Sequence, residues 1–184
     1  MSLAFFYFDF REDEKRSLRG LVSSVLVQLC QSDSYCYMLF RFYSEHAMGP
    51  HPPSDDALVE CLKNLLKLPG LAPVYLIMDA LDECPLSSAT PSPREKVTML
   101  IEELVNLHIP NLHLCVTSRP DTDIKYALNP LTSCTVSLHD ESGQKRDIED
   151  YIKSVINGHP QNRRWKAEHK QLVIDVLTQK ANGM

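Results

Sequence analysis

The stretch Val74-Tyr-Leu-Ile-Met-Asp-Ala-Leu-Asp-Glu-Cys-Pro85 decides the fold. Val74 to Met78 is an apolar run of strand length, which predicts a buried strand that ends abruptly at Asp79. In open α/β sheets, ligands bind beyond the carboxyl ends of the strands. Asp79-Ala-Leu-Asp82-Glu83 stands at such an end. An aspartate there can hold Mg²⁺ directly or through water, and a following carboxylate can orient or deprotonate an attacking water. Ala80 is small enough to let a phosphate or metal approach the backbone. A strand end with a solvated acidic turn is the plainer reading, and spacing by itself does not separate the two.

Downstream, a Pro-rich loop (Pro85 to Pro93) leads to a helix at Arg94 to Leu107 with Val97, Leu100, Ile101 and Leu104 on one face. Leu112 to Thr117 is the next strand, closed by Ser118-Arg119-Pro120. In a parallel sheet this puts the Arg119 guanidinium on the same edge as Asp79, where it can contact a terminal phosphate. Seen alone, Arg119 would be a surface arginine before a turn proline. Together the two features gain weight, because adjacent strand ends meet at one site.

Upstream lies an aromatic strand, Leu3 to Phe10, nearly continuous in apolar character as expected for a strand covered on both faces. Helices follow at Ser17 to Cys30, Tyr35 to His46 and Ser54 to Leu66, the last with Ser54 as N-cap and Asp55 and Asp56 in its first turn. Beyond Arg119 the pattern gives a short helix at Asp121 to Leu128, a last strand at Cys134 to Leu138, and then helices only. Ile148, Tyr151, Ile152, Val155 and Ile156 mark one of them; Leu172, Val173, Val176 and Leu177 mark another. The order β-ααα-β-α-β-α-β-αα argues for an α/β fold: a parallel sheet with helices on both faces.

The formal charge of −5 argues against a general basic surface, so no nucleic-acid partner is expected. Leu3 to Phe10 is too short to span a membrane. None of the six cysteines forms a CxxC pair and no secretory signal precedes them, which reads as reduced thiols in the cytoplasm. Cys30, Cys61 and Cys115 fall among apolar neighbours, where a thiol acts as a small hydrophobe. The spacing of Cys30, Cys36, His46 and His51 does not match a zinc finger. Cys84 is a nucleophile only on paper, with no histidine near it in sequence. Arg163-Arg164-Trp165-Lys166 reads as a solvated loop before a helix.

One motif is missing. A phosphate cradle needs GxxxxGK[ST], and none of the six glycines is followed by lysine. Three runs carry a resemblance: VYLIMDALDECP (Val74 to Pro85), LHLCVTSRPD (Leu112 to Asp121) and LHDESGQKRDIEDYI (Leu138 to Ile152). With the opening FYFDFRE (Phe6 to Glu12), they resemble the NACHT domain of fungal NLR-like proteins, STAND-class NTPases often labelled nephrocystin-3-like N-terminal domains. The resemblance implies a P-loop NTPase fold, with Asp79 as the Walker B ligand of Mg²⁺. It implies that Asp82 and Glu83 position or activate the hydrolytic water, and that Arg119 is the sensor reading the γ-phosphate of ATP. Residues 1–140 would be a partial nucleotide-binding core and residues 141–184 the beginning of a helical subdomain.

In that family the sheet order is 5-1-4-3-2, with the P-loop after strand 1. The strands here correspond to 2, 3, 4 and 5, and strand 1 is absent. The expectation is a chain that is marginally stable or pairs strand 5 in an unusual way, with weak or no binding of ATP and Mg²⁺ by itself. In the intact protein, nucleotide exchange would drive homo-oligomerisation and engage protein partners through regions outside this chain. The alternative is a degenerate interaction module without a hydrolytic role.

Overall fold

The structure, a computed structural model, describes residues 1–30, 33–47, 52–69, 72–137 and 142–181. Its contacts divide the chain into two compact units, residues 1–132 and 133–184.

The first unit is built on a three-stranded parallel sheet, β1 (Ser2–Tyr7), β2 (Val74–Asp79) and β3 (Leu112–Val116), in the order β1-β2-β3. Between β1 and β2 run α1 (Leu18–Leu29), α2 (Asp33–Ala47) and α3 (Asp55–Leu66); α4 (Pro93–Asn106) connects β2 to β3, and α5 (Thr122–Leu128) follows. The helix starts follow from local chemistry. Ser17 and Ser54 accept hydrogen bonds from the Gly20 and Ala57 amides. Ser92 and Glu95 form a reciprocal capping box, with Pro93 in the first turn of α4. Each cap satisfies amides that the helix itself leaves without acceptors.

The helices bury one stripe each: Leu21, Val22, Val25, Leu26 and Leu29 on α1, Leu58, Cys61, Leu62, Leu65 and Leu66 on α3, and Val97, Leu100, Ile101 and Leu104 on α4. These join Ala4, Phe6, Val74, Leu76 and Met78 in one core. The register explains the choice of strand residues. Ala4 lies beside Leu76 and Leu114, and Phe6 beside Met78 and Val116, so the alternate residues of all three strands share that face.

The opposite face corrects two expectations. Leu3, Phe5, Tyr7, Tyr75, His113 and Cys115 are exposed, so β1 is not covered on both sides and the sheet has one helix-covered face. Apolar character on both sides of a strand therefore does not mean cover on both sides. The exposed rings partly cover one another, Tyr75 stacking on His113 at 4.6 Å and Phe5 lying 5.5 Å from Tyr7. Cys115, expected among apolar neighbours, belongs to this exposed face. The outer edge of β1 is closed at one point, where the Gln28 side chain accepts from the Phe5 amide and donates to the Phe5 carbonyl.

A third correction concerns the expected strand at Cys134 to Leu138. Cys134 to Ser137 form no strand and are exposed, Val136 among them, and Leu138 lies outside the described residues. A strand exists only through its partner's hydrogen bonds. Among the described residues, Cys134 to Ser137 find no such partner. The sheet therefore has three strands among the described residues.

In the second unit, α6 (Ser142–Gly158) and α7 (Ala167–Ala181) pack on each other. The buried apolar residues are Ile156 and Ile174, whereas Leu172, Val176 and Leu177 are exposed. The helix marked by Leu172, Val173, Val176 and Leu177 is thus present as α7, with Ile174 as its buried apolar residue. This helix carries apolar residues on more than one side, and periodicity cannot choose among them. No described helix is long and apolar enough to cross a membrane.

Candidate functional site

Asp79 is the last residue of β2, and the strand alternation that exposes Tyr75 puts Asp79 on the same, open side of the sheet. Thr117, immediately after β3, shares that side. Its hydroxyl donates to Asp79 Oδ1 at 2.5 Å and accepts from the Ala80 amide at 3.0 Å. One Thr117 oxygen thus fixes both the carboxylate and the start of the turn behind it. The Leu81 amide bonds to the Thr117 carbonyl at 3.0 Å, and the Thr117 amide to the Met78 carbonyl at 2.9 Å.

The chain reverses after Asp79 through Ala80, which has φ 56° and ψ 47°, the left-handed region. A 3₁₀ turn of Leu81–Glu83 follows. Leu81 is fully buried and the two carboxylates after it diverge. Asp82, whose side chain is 11% exposed, accepts from the Arg119 amide at 2.9 Å and lies 3.3 Å from Arg119 Nε. Glu83 turns the other way and accepts from the Phe10 amide in the loop after β1, at 3.3 Å. The turn therefore bridges the segments following both neighbouring strands. The carboxyl ends of β2 and β3 bring Asp79, Asp82, Glu83, Thr117 and Arg119 to one edge.

Arg119 is 80% exposed on its side chain. An ion pair this open contributes only about 0.2–1 kcal/mol, so its guanidinium can exchange Asp82 for an anionic ligand at small cost. The donor set at Asp79 is one carboxylate and one hydroxyl. Among the described residues, no group of three or more His, Cys, Asp or Glu side chains is arranged to hold a metal. Mg²⁺ is usually held by one or two carboxylates with waters and substrate phosphates. The residues at Asp79 therefore fit a Mg²⁺ that keeps most of its waters or phosphate ligands, and they would hold an ion supplied without phosphate only weakly.

Two neighbouring groups have altered acidities. The Arg11 guanidinium grips Asp9 through two hydrogen bonds, at 2.9 and 2.7 Å, and the Arg11 amide adds a third. These hold the Asp9 carboxyl at about 2, against the usual 3.8. The carboxylate form is favoured in the folded chain. Its contribution to stability is thus complete above about pH 3.8 and is lost as pH falls through about 2. An NMR titration of Asp9 should give a midpoint near 2, returning towards 3.8 in Arg11→Ala. A midpoint near 3.8 in the unaltered chain would contradict the clamp. At Cys84, burial pushes the thiol up to about 11 despite the nearby Arg94 charge. Burial therefore favours the protonated thiol over the nucleophilic thiolate.

Sequence reasoning missed Thr117 as the residue that aims Asp79. The register could have revealed it, because Met78 pairs with Val116 and the residues after them are neighbours on one face. It also missed Arg94, which is buried. A cavity of about 340 Å³ lies at the other end of the sheet, lined by Val74 and Leu112 at the amino ends of their strands. It is remote from the acidic turn.

A family model described as nephrocystin 3, N-terminal, matches residues 1–119. No curated protein and no solved structure matches the chain.

Proposed function

Because the chain belongs to the nephrocystin 3 N-terminal family, we propose that its first unit is the acidic and sensor half of a nucleotide site in a NACHT-type STAND signalling ATPase. The observation that carries this reading is the convergence of Asp79, Thr117, Glu83 and Arg119 at the carboxyl edge of a parallel sheet. Asp79, aimed by Thr117, would hold Mg²⁺ brought in with ATP. The bound metal would neutralise charge on the phosphates. Arg119 would read the terminal phosphate. Glu83, with a single 3.3 Å side-chain hydrogen bond, is the better placed of the two carboxylates to orient water. Asp82 is committed to holding the Arg119 backbone.

The 184 residues contain no GxxxxGK[ST]. The chain by itself accordingly lacks the cradle that makes nucleotide affinity high, and ATP-driven switching and homo-oligomerisation are proposed for the intact protein alone.

The cation edge can be tested directly. Substoichiometric Mn²⁺ should selectively broaden the amide resonances of Ala80, Leu81 and Thr117. Asp79→Asn should weaken that effect at least tenfold while leaving the remaining spectrum in place. Broadening confined to other acidic surfaces, or unchanged by Asp79→Asn, would overturn the assignment.

A further inference from the structure

Arg94 is 6% exposed and occupies the first turn of α4, where the helix dipole disfavours a cation. Its position must therefore be set by its contacts, and these are numerous. Nε donates to the Cys84 carbonyl at 2.8 Å and Nη2 to the Asp82 carbonyl at 2.5 Å. Nη1 donates to Asp121 Oδ2 at 2.9 Å and to Asp123 Oδ2 at 3.1 Å. One planar group thus grips the backbone of the acidic turn on one side and the carboxylates at the start of α5 on the other.

The contacts close a circuit. Arg94 holds the Asp82 carbonyl; the Asp82 side chain holds the Arg119 amide; the Asp121 amide bonds to the Arg119 carbonyl at 2.8 Å; and Asp121 returns to Arg94. Arg119 is therefore fixed from both ends of its own peptide units. Asp79 stands outside this circuit, aimed by Thr117.

We propose that Arg94 is a positioning residue that sets Arg119 against the acidic turn, and so tunes recognition of an anionic phosphate chain without touching it. The inference rests on the nucleotide-site reading for its ligand, but its structural part stands separately. A lysine cannot replace Arg94. A single ammonium has no planar fork with which to reach two carbonyls and two carboxylates at once.

The test uses Arg94→Lys in the full 184-residue chain, followed by NMR with inorganic tripolyphosphate and Mn²⁺ as separate probes. Amide exchange in the β1–β2 ladder should stay within about twofold of the unaltered chain, which reports an intact fold. Protection of the Arg119 amide should fall at least tenfold. Tripolyphosphate affinity, read from shifts of Arg119, should fall at least fivefold, whereas Mn²⁺ broadening at Thr117 should persist. A general loosening would move both probes together.

Unchanged Arg119 protection overturns the proposal, as does equal loss of both probes. If Arg94→Lys loses the ladder, the double variant Asp121→Asn with Asp123→Asn opens the same circuit from its exposed side, and the same criteria apply. If the unaltered chain binds neither probe, the nucleotide-site reading fails along with the ligand part of the inference. Arg119 protection then decides the structural part alone.

Discussion

Replacing Leu81 by alanine should lower the free energy of unfolding by about 2–5 kcal/mol, the range for truncating a fully buried leucine. Leu81 is 0% exposed and is the only buried residue of the acidic turn. It sits directly after Ala80, whose left-handed backbone is disfavoured for a residue with a Cβ, by roughly 1–2 kcal/mol. Burial of Leu81, with its amide bonded to the Thr117 carbonyl, is what holds that conformation in place. The expected result is therefore double. The urea midpoint should fall, and Ala80 and Asp82 should lose amide protection beyond the loss seen in the β1–β2 ladder. A destabilisation below about 1 kcal/mol would show that the turn is not anchored through the core, since truncating a well-packed leucine costs more than that. The substitution links packing to the site, because the side chain that fills the core carries the carboxylates on either side of it.

The second large effect concerns Gly20, in the first turn of α1. Alanine normally stabilises a helix relative to glycine by about 1 kcal/mol. At Gly20 the sign should reverse. A Cβ there would overlap the Glu14 carbonyl oxygen and lie 3.3 Å from Ser17 Oγ. The first of these is backbone, so the 3₁₀ turn at Asp13–Arg16 must move. A loss of about 1–3 kcal/mol is expected, as for overpacking elsewhere. Gly158, at the end of α6, has nothing within 4 Å of the same position. Gly158→Ala should be neutral or stabilising by up to about 1 kcal/mol. Urea denaturation of the two variants should give opposite signs. A stabilised Gly20→Ala would mean that the turn before α1 yields freely.

These effects bear on how far the site could be read in advance. Asp79 and Arg119 were legible because each stands at the end of an apolar run of strand length. In a parallel sheet, successive strands end on the same edge. Thr117 was in view within the same motif, but its role needed the register. Asp82 and Glu83 read as an equivalent pair, yet Asp82 faces the loop after β3 and Glu83 the loop after β1. That difference comes from the sharp reversal at Ala80, which no spacing rule encodes. Arg94 entered the sequence reading only as the start of a helix, since its carboxylate partners lie 27 and 29 residues away.

The sequence by itself determined the order of elements from β1 to α5, the Ser54 cap of α3, and the edge on which the acidic motif lies. These rest on interactions within a few residues: apolar periodicity, a serine before a helix, and a strand that ends in a charge. The tertiary structure decided the rest. It chose which sheet face is covered, left Cys134 to Ser137 without a strand, buried Ile174 among the apolar residues of α7, and made Arg94 a buried clamp. Each of these depends on what stands opposite a residue in space. A strand with apolar side chains on both faces reads the same whether or not a helix lies above it.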